Sequence, residues 1–161
     1  MSRLPTVSVL RRVRGGWLPA ARELRRWAGA ALGARAAGRE ISVLLVGPAA
    51  SRALNAQYRG RDRATNVLSF PAPARMAGTA GLLGDLVICP AVLRAEARAQ
   101  HKSARAHWMH LVVHGVLHLA GYDHERKHDA LRMERREIRV LRELGVANPY
   151  RMPSLPVRRS A

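Results

Sequence analysis

The stretch HGVLHLAGYDH, residues 114–124, places three histidines and an aspartate within eleven positions at the predicted end of a helix. His114 and His118 are four residues apart, so their side chains share one helix face, a turn apart. Gly121 offers the left-handed conformation that commonly ends a helix, so the chain can reverse and bring His124 back toward that face. The spacing therefore allows three imidazoles to converge on one metal ion.

The arrangement of these ligands favours a catalytic zinc site. Two ligands from a helix and a third from the following turn leave one coordination position open, whereas structural zinc sites are closed by four protein ligands. The alternative is that these are ordinary histidines near a helix end, where the helix dipole favours them. That alternative explains neither the third histidine nor its turn. We predict one zinc ion per chain, held by His114, His118 and His124.

The residues around this stretch have less certain assignments. His110 precedes His114 by four positions and is either a ligand or a neighbour of one; three histidines spanning two full turns cannot all reach one ion at about 2 Å. We therefore place His110 in the core or in contact with a ligand. Asp123 either orients an imidazole through its second nitrogen or caps the next helix. We expect the remaining histidines to be solvated: His101, His107 and His128.

The residue after the first histidine argues against a peptidase. Zinc peptidases of the H-E-x-x-H type carry a glutamate there as general base. This chain has Gly115 at that position. A water molecule activated at the site would need another acceptor, or would act as hydroxide through a pKa lowered to about 7.

Outward from the histidines, the hydrophobic pattern predicts a single α+β domain over residues 1–150, with a zinc site at the end of a central helix. The predicted strands are rich in Val, Ile and Leu and are bounded by Gly or Pro. They lie near residues 6–13, 40–46, 66–70 and 84–89. Together they predict a small mixed four-stranded sheet packed with about five helices.

The predicted helices fill the remaining segments. They lie near residues 17–32 and 49–59, from Pro90 to Gly121 with a break near Lys102 and Ser103, and from 128 to Gly145. The last helix has apolar residues at helical spacing: Leu131, Ile138, Leu141 and Leu144. We expect a Pro- and Gly-rich surface loop over 71–84 and a flexible basic tail over 151–161.

Composition limits the class of partner. The chain has 161 residues, with 28 Lys and Arg against 11 Asp and Glu, for a formal net charge of +17. Such a charge indicates a polyanionic partner, although a compositional bias toward arginine would produce it too. No apolar stretch is long enough for a bilayer, so we expect no membrane contact. A lone cysteine, Cys89, suits a reducing compartment.

Three stretches resemble, in order and spacing, the motifs of the YbeY family of bacterial rRNA maturation factors, which are metal-dependent endoribonucleases. HGVLHLAGYDH resembles the family's H-G-x-L-H-L-x-G-Y-D-H signature. LNAQYRGRDRATNVLSFP, residues 54–71, is similar to L-N-x-x-Y-R-x-x-D-x-P-T-D-V-L-S-F-P, and LGDLVI, residues 83–88, to L-G-D-I-x-I. Two residues depart from the pattern: Ala64 replaces a proline and Asn66 an aspartate.

The resemblance implies a function and its residues. It implies zinc on the three histidines of the signature, with Arg59 as the functional arginine and His114 as a catalytic residue. The implied activity is hydrolysis of single-stranded RNA in the cytoplasm, in 3′-end maturation of small-subunit rRNA and ribosome quality control. The implied partners are the small ribosomal subunit and its proteins, and no DNA substrate is expected. Arg59 alone could equally interact with the free carbonyls of a helix end.

Three further polar residues and two rival functions remain open. Asn66 and Ser69 lie around a predicted tight loop and strand, near the implied arginine. Asp85 begins a predicted strand. It either contacts the metal ligands or acts as a base, or it has only a structural role in a turn. One rival function is a non-catalytic ribosome assembly factor with a structural zinc. The other is a metallohydrolase of peptides or small molecules, which Gly115 and the charge disfavour.

Overall fold

In the computed structural model, which describes residues 4–73 and 81–151, four strands form one mixed sheet. The strands are β1 (Thr6–Arg11), β2 (Glu40–Leu45), β3 (Val67–Pro71) and β4 (Leu82–Ile88). Their order in the sheet is β1-β2-β4-β3, with β1, β2 and β4 parallel and β3 antiparallel to β4. β3 is consequently an edge strand.

The described residues also form five α-helices and a short 3₁₀ turn at Gly33–Arg35. The helices are α1 (Ala21–Leu32), α2 (Pro48–Arg59), α3 (Pro90–Ala99), α4 (Ala104–Leu119) and α5 (Lys127–Glu143). This confirms the predicted α+β class, with its mixed four-stranded sheet and five helices. The single-domain boundaries at 1–150 stay a prediction, and residues 152–161 of the predicted tail lie outside the described residues.

Helix α4 is the centre of the fold because it is apolar on nearly every side. A helix of that kind needs neighbours all round, and α4 packs against β3 and β4 on one side and against α1, α3 and α5 on the others. Trp108, Val113, Val116 and Leu117 are each at most 1% exposed. Ser103 caps the helix, accepting a hydrogen bond from the Ala106 N–H at 3.1 Å. The core therefore holds α4 rigidly, and its C-terminal half carries His114 and His118, two of the three predicted metal ligands.

Some predicted boundaries were wrong. Helix α1 begins at Ala21 rather than at residue 17, because Pro19 disfavours a helical conformation in the residue before it. Ala20 is extended, and its N–H donates to the Glu23 carboxylate at 2.9 Å, which closes the new helix start. The predicted loop 71–84 is shorter, since β4 already begins at Leu82; its residues 74–80 lie outside the described part of the chain.

Two side-chain predictions also failed. His107 was expected in solvent but is 3% exposed, and its Nε2 lies 3.1 Å from an oxygen of Glu96 on α3. The helical spacing of Leu131 with Ile138, Leu141 and Leu144 implied one shared apolar face, but Leu131 is 46% exposed. The residues that α5 buries instead also follow helical spacing: Met133, Glu137, Val140 and Leu141.

Candidate metal centre

The structure brings the three histidines of residues 114–124 together at the end of α4. His114 and His118 lie on the last turns of the helix, and Gly121, with φ 98°, reverses the chain so that His124 returns to them. The ring centroid of His118 lies 4.7 Å from the ring centroid of His114 and 4.7 Å from that of His124. One nitrogen from each ring lies within 4.8 Å of the others. These residues could therefore hold one metal ion.

The protonation state of His118 suits metal binding. His118 Nε2 and His124 Nδ1 lie 3.0 Å apart. Burial of His118, together with the neighbouring rings of His114 and His124, lowers the pKa of His118 to about 4. A histidine binds metal in its neutral form, so His118 is ready to bind at neutral pH without first losing a proton. The donor set, three imidazoles, fits zinc.

A carboxylate that sequence analysis missed lies behind His114. Glu137 of α5 has a side chain only 1% exposed, and its Oε1 accepts a short hydrogen bond from His114 Nδ1. Its Oε2 accepts a short hydrogen bond from the Tyr150 hydroxyl and lies 3.4 Å from His110 Nε2. Burial opposes ionisation of Glu137, but the hydrogen bonds from His110 and His114 outweigh it and lower its pKa to about 2. Glu137 is thus a buried anion held by three side chains.

The hydrogen bond to Glu137 determines which nitrogen of His114 is available to a metal. With Nδ1 bound to the carboxylate, the other nitrogen, Nε2, is the one left for a metal, and the ring cannot rotate freely. His110, His114 and Glu137 also have ligand atoms within 4.8 Å of one another. Because the Glu137 carboxylate already receives three side-chain hydrogen bonds, we interpret His110, His114 and Glu137 as a hydrogen-bond network that supports His114. His110 therefore contacts the carboxylate behind the ligand.

The sequence did contain a signal for Glu137. It lies four residues after Met133 and four before Leu141, and both of those side chains are fully buried. An acidic residue in the middle of an apolar helix stripe must find a buried partner, since an unpaired charge there is costly. The partner could not be identified from spacing alone.

Arg59 reaches the same cavity from the other side. It is the last residue of α2, and its Nη2 donates to the carbonyl of Ser69 at 2.9 Å. Its guanidinium lies 5.3 Å from the Phe70 ring centroid. Arg59 and the three histidines line one cavity of about 390 Å³. Among the described residues no carboxylate forms an ion pair with Arg59, so its charge is available to a ligand in that cavity.

Ser69 and Gly115 show how closely α4 approaches the sheet. The Ser69 hydroxyl donates to the Gly115 carbonyl at 3.3 Å. A Cβ on Gly115 would lie 2.8 Å from Leu86 Cδ2 and 3.3 Å from Ser69 Oγ. A side chain at position 115 would therefore be forced against β3 and β4. The glutamate of the H-E-x-x-H pattern has no space here.

The other polar candidates lie elsewhere or act on the backbone. Asp123 lines the cavity, but its Oδ1 accepts from the backbone N–H groups of His124 at 2.6 Å and Glu125 at 3.1 Å, so it shapes the turn. Asn66 donates to Glu96 at 3.1 Å and accepts from the Val67 N–H. An aspartate at position 66 could not make that donation, which gives the departure at this position a physical reason.

Asp85 is on the opposite side of the sheet. Consecutive side chains of a strand point to opposite faces, and Leu86, the residue after Asp85, faces α4 at Gly115. Asp85 accordingly lines a separate groove with Phe70 and Ser42. The structure therefore does not bring Asp85 to the histidines.

Comparisons with known proteins identify the family of this chain. A family profile described as Endoribonuclease YbeY matches residues 20–145. The chain belongs to the YbeY endoribonuclease family. It is 51% identical over 139 residues to an Endoribonuclease YbeY from Alkalilimnicola ehrlichii, covering 84% of each chain. It is 48% identical over 141 residues to one from Halorhodospira halophila, covering 86% of this chain and 92% of the relative.

A solved structure is also similar to this YbeY-family chain. The solution structure of TM1509 from Thermotoga maritima matches with a TM-score of 0.57 and 26% identity, covering 91% of this chain and 99% of that one. Within residues 4–73 and 81–151, no helix is both long enough and apolar enough to cross a bilayer.

Proposed function

We propose that this protein is a zinc-dependent endoribonuclease that cleaves single-stranded RNA in the cytoplasm and acts in 3′-end maturation of small-subunit rRNA and in ribosome quality control. The observation that carries the proposal is one cavity lined both by three convergent imidazoles and by Arg59, which pairs with no carboxylate of the described residues. Membership of the YbeY family supports RNA cleavage as the reaction class.

The residues that line or support the cavity have different roles. His114, His118 and His124 would hold the zinc, and Glu137 would keep the His114 ring oriented through Nδ1. When bound, zinc supplies Lewis-acid polarisation of a phosphoryl oxygen and lowers the pKa of water. Arg59 contributes fixed positive charge from the facing wall, where its planar fork of N–H donors matches the oxygens of a phosphodiester.

The shape of the cavity favours a single strand. His114 and His118 are half-buried, with the His114 side chain 27% exposed, whereas His124 lies exposed at the mouth of the cavity. A phosphodiester has to enter the cavity to reach Arg59 and the histidines together. A flexible single strand can bend into such a space, whereas a duplex is stiff over lengths of about 150 base pairs. Peptide hydrolysis is disfavoured because position 115 has no room for the usual general base.

The test is cleavage of labelled single-stranded and duplex RNA by purified protein, with and without chelator. We expect cleavage of the single strand, and loss of cleavage with chelator and in His114→Ala. Arg59→Ala should retain zinc and lower turnover about 100- to 1000-fold. Arg52→Ala is the matched control, because Arg52 is an exposed arginine of the same helix already paired with Asp62 at 2.7 Å.

Two results would contradict the proposal. Cleavage that survives both chelator and His114→Ala would point to a contaminating ribonuclease. Full zinc content without any RNA cleavage would favour the non-catalytic assembly factor. The ribosomal role is tested in cells that lack the protein: unprocessed 3′ ends of small-subunit rRNA should accumulate and be corrected by the wild type but not by His114→Ala.

A further inference from the structure

A basic groove of about 740 Å³ lies along α5, next to the turn that carries His124. Its walls are formed by the exposed side of the helix and by the turn residue Tyr122. The following residues of the groove carry the argument: Tyr122, Lys127, Arg132, Arg135, Arg136 and Arg139. We call this feature the α5 groove. Nothing in the cleavage of a phosphodiester at the histidines requires it.

Within residues 4–73 and 81–151, no ion pair neutralises the positive charges of the α5 groove. Helix α5 contains four acidic residues, and none of them lines the groove. In the described part of the chain, no carboxylate forms an ion pair with Lys127, Arg132, Arg135 or Arg139. Arg136 has a backbone partner, since its Nη2 donates to the Ala31 carbonyl at 3.2 Å. A concave surface with this much unpaired positive charge attracts a polyanion.

The α5 groove borders the metal centre at Tyr122. Tyr122 lines both the groove and the cavity that contains the three histidines. Arg132 marks the junction, because its guanidinium lies 5.5 Å from the Tyr122 ring centroid. From His128 to Arg139 the helix rises about 16 Å, at 1.5 Å per residue, and the basic residues recur every three or four positions on one side. An extended strand leaving the cavity would meet these residues in succession.

We infer that the α5 groove binds the phosphate backbone of single-stranded RNA on one side of the segment that enters the metal centre. This inference rests on the proposed function. Nearly all the groove's cations are arginines, whose planar forks suit phosphate oxygens. A helix that docks on an anionic membrane presents an apolar face with its basic residues, whereas Leu131 is the exposed large apolar residue of this groove.

The test compares two triple variants, each also carrying His114→Ala so that RNA stays intact. The groove variant is Arg132→Ala, Arg135→Ala and Arg139→Ala. The control variant, Arg22→Ala, Arg26→Ala and Arg98→Ala, removes the same charge from exposed positions on α1 and α3. Because alanine is the best helix former, both should fold, and thermal unfolding of each, compared with that of the single His114→Ala variant, checks this. Arg135→Glu supplies a second, single-site test.

The measurement is the affinity for RNA strands of three and twelve nucleotides over a series of salt concentrations. We expect the groove variant to bind the longer strand about tenfold or more weakly. The slope of log affinity against log salt should fall by about 0.7 for each lost phosphate contact, or about 2 in all. The advantage of the longer strand over the shorter one should shrink in the groove variant and persist in the control.

Equal loss in the groove and control variants would overturn the inference, because affinity would then follow net charge alone. Loss of binding to phosphatidylglycerol vesicles with RNA affinity unchanged would also overturn it and make the groove a lipid site. A different result would refute the proposed function and leave the groove inference intact. If the wild type does not cleave RNA but the groove variant still loses affinity and salt dependence, the groove binds RNA and the enzymatic assignment is wrong.

Discussion

Replacing Glu137 by glutamine should weaken both the fold and the metal site. The side chain is 1% exposed, and its carboxylate receives hydrogen bonds from His114, His110 and Tyr150. Glutamine keeps the volume but removes the charge, and its amide group presents donors where three donors already point. At least one donor is left unmatched. Breaking a buried charged network of this kind costs about 3 to 5 kcal/mol.

The effect on metal binding is separate from the effect on stability. The carboxylate bound to His114 Nδ1 fixes the orientation of the ring, and loss of such a partner typically lowers metal affinity 10- to 100-fold. That factor corresponds to about 1.4 to 2.7 kcal/mol of binding free energy. Tyr150→Phe removes one donor but leaves the bond to His114, so it should lower stability while changing zinc affinity less than tenfold.

Zinc affinity is measured by competition with a chelator, and stability by unfolding of the metal-free protein. Glu143→Gln is the control, since Glu143 is an exposed acidic residue at the end of the same helix. If Glu137→Gln destabilises the metal-free protein yet binds zinc as tightly as the control, the carboxylate stabilises the core and does not orient His114. If neither quantity changes, the network has no energetic role.

Three further predictions concern packing and charge. Gly115→Leu should lower the free energy of unfolding by about 1 to 3 kcal/mol through overpacking against the sheet, measured by urea denaturation. Gly84→Ala should also lower the free energy of unfolding by about 1 to 3 kcal/mol. At position 84 φ is 141°, and the new Cβ would lie 2.2 Å from the Phe70 carbonyl oxygen. An unchanged urea midpoint would refute this prediction. Burial lowers the pKa of His107 despite its contact with Glu96, so the unfolded chain binds the proton more readily. Stability should fall as pH drops below about 6.5, and His107→Gln should flatten that dependence.

Local spacing predicted the part of the site that lies on one continuous segment. The helical interval between His114 and His118 and the turn at Gly121 are properties of eleven consecutive residues. The fold class followed from alternating strands and helices for the same reason. Boundaries failed where one residue overrode the pattern, as Pro19 does at the start of α1.

Contacts between distant segments could not be predicted from spacing. His107 is buried because Glu96, on a different helix, meets its ring. Asp85 misses the site because side chains alternate between the faces of a strand, and the sequence does not show which face of β4 meets α4. Arg59 lies on α2, and the histidines lie on α4 and the turn after it, so only the sheet brings the two sides of the cavity together.

The edge strand β3 makes that connection through one residue. The Ser69 hydroxyl bonds the Gly115 carbonyl on α4, and the Ser69 carbonyl accepts from Arg59. A shift of one residue in the pairing of β3 would turn Ser69 to the other face and break the first contact. The close approach also requires glycine at position 115, since a Cβ there would meet Leu86 and Ser69. The residue that excludes the peptidase base is therefore the one that allows the histidine helix to pack against the strand that holds Arg59.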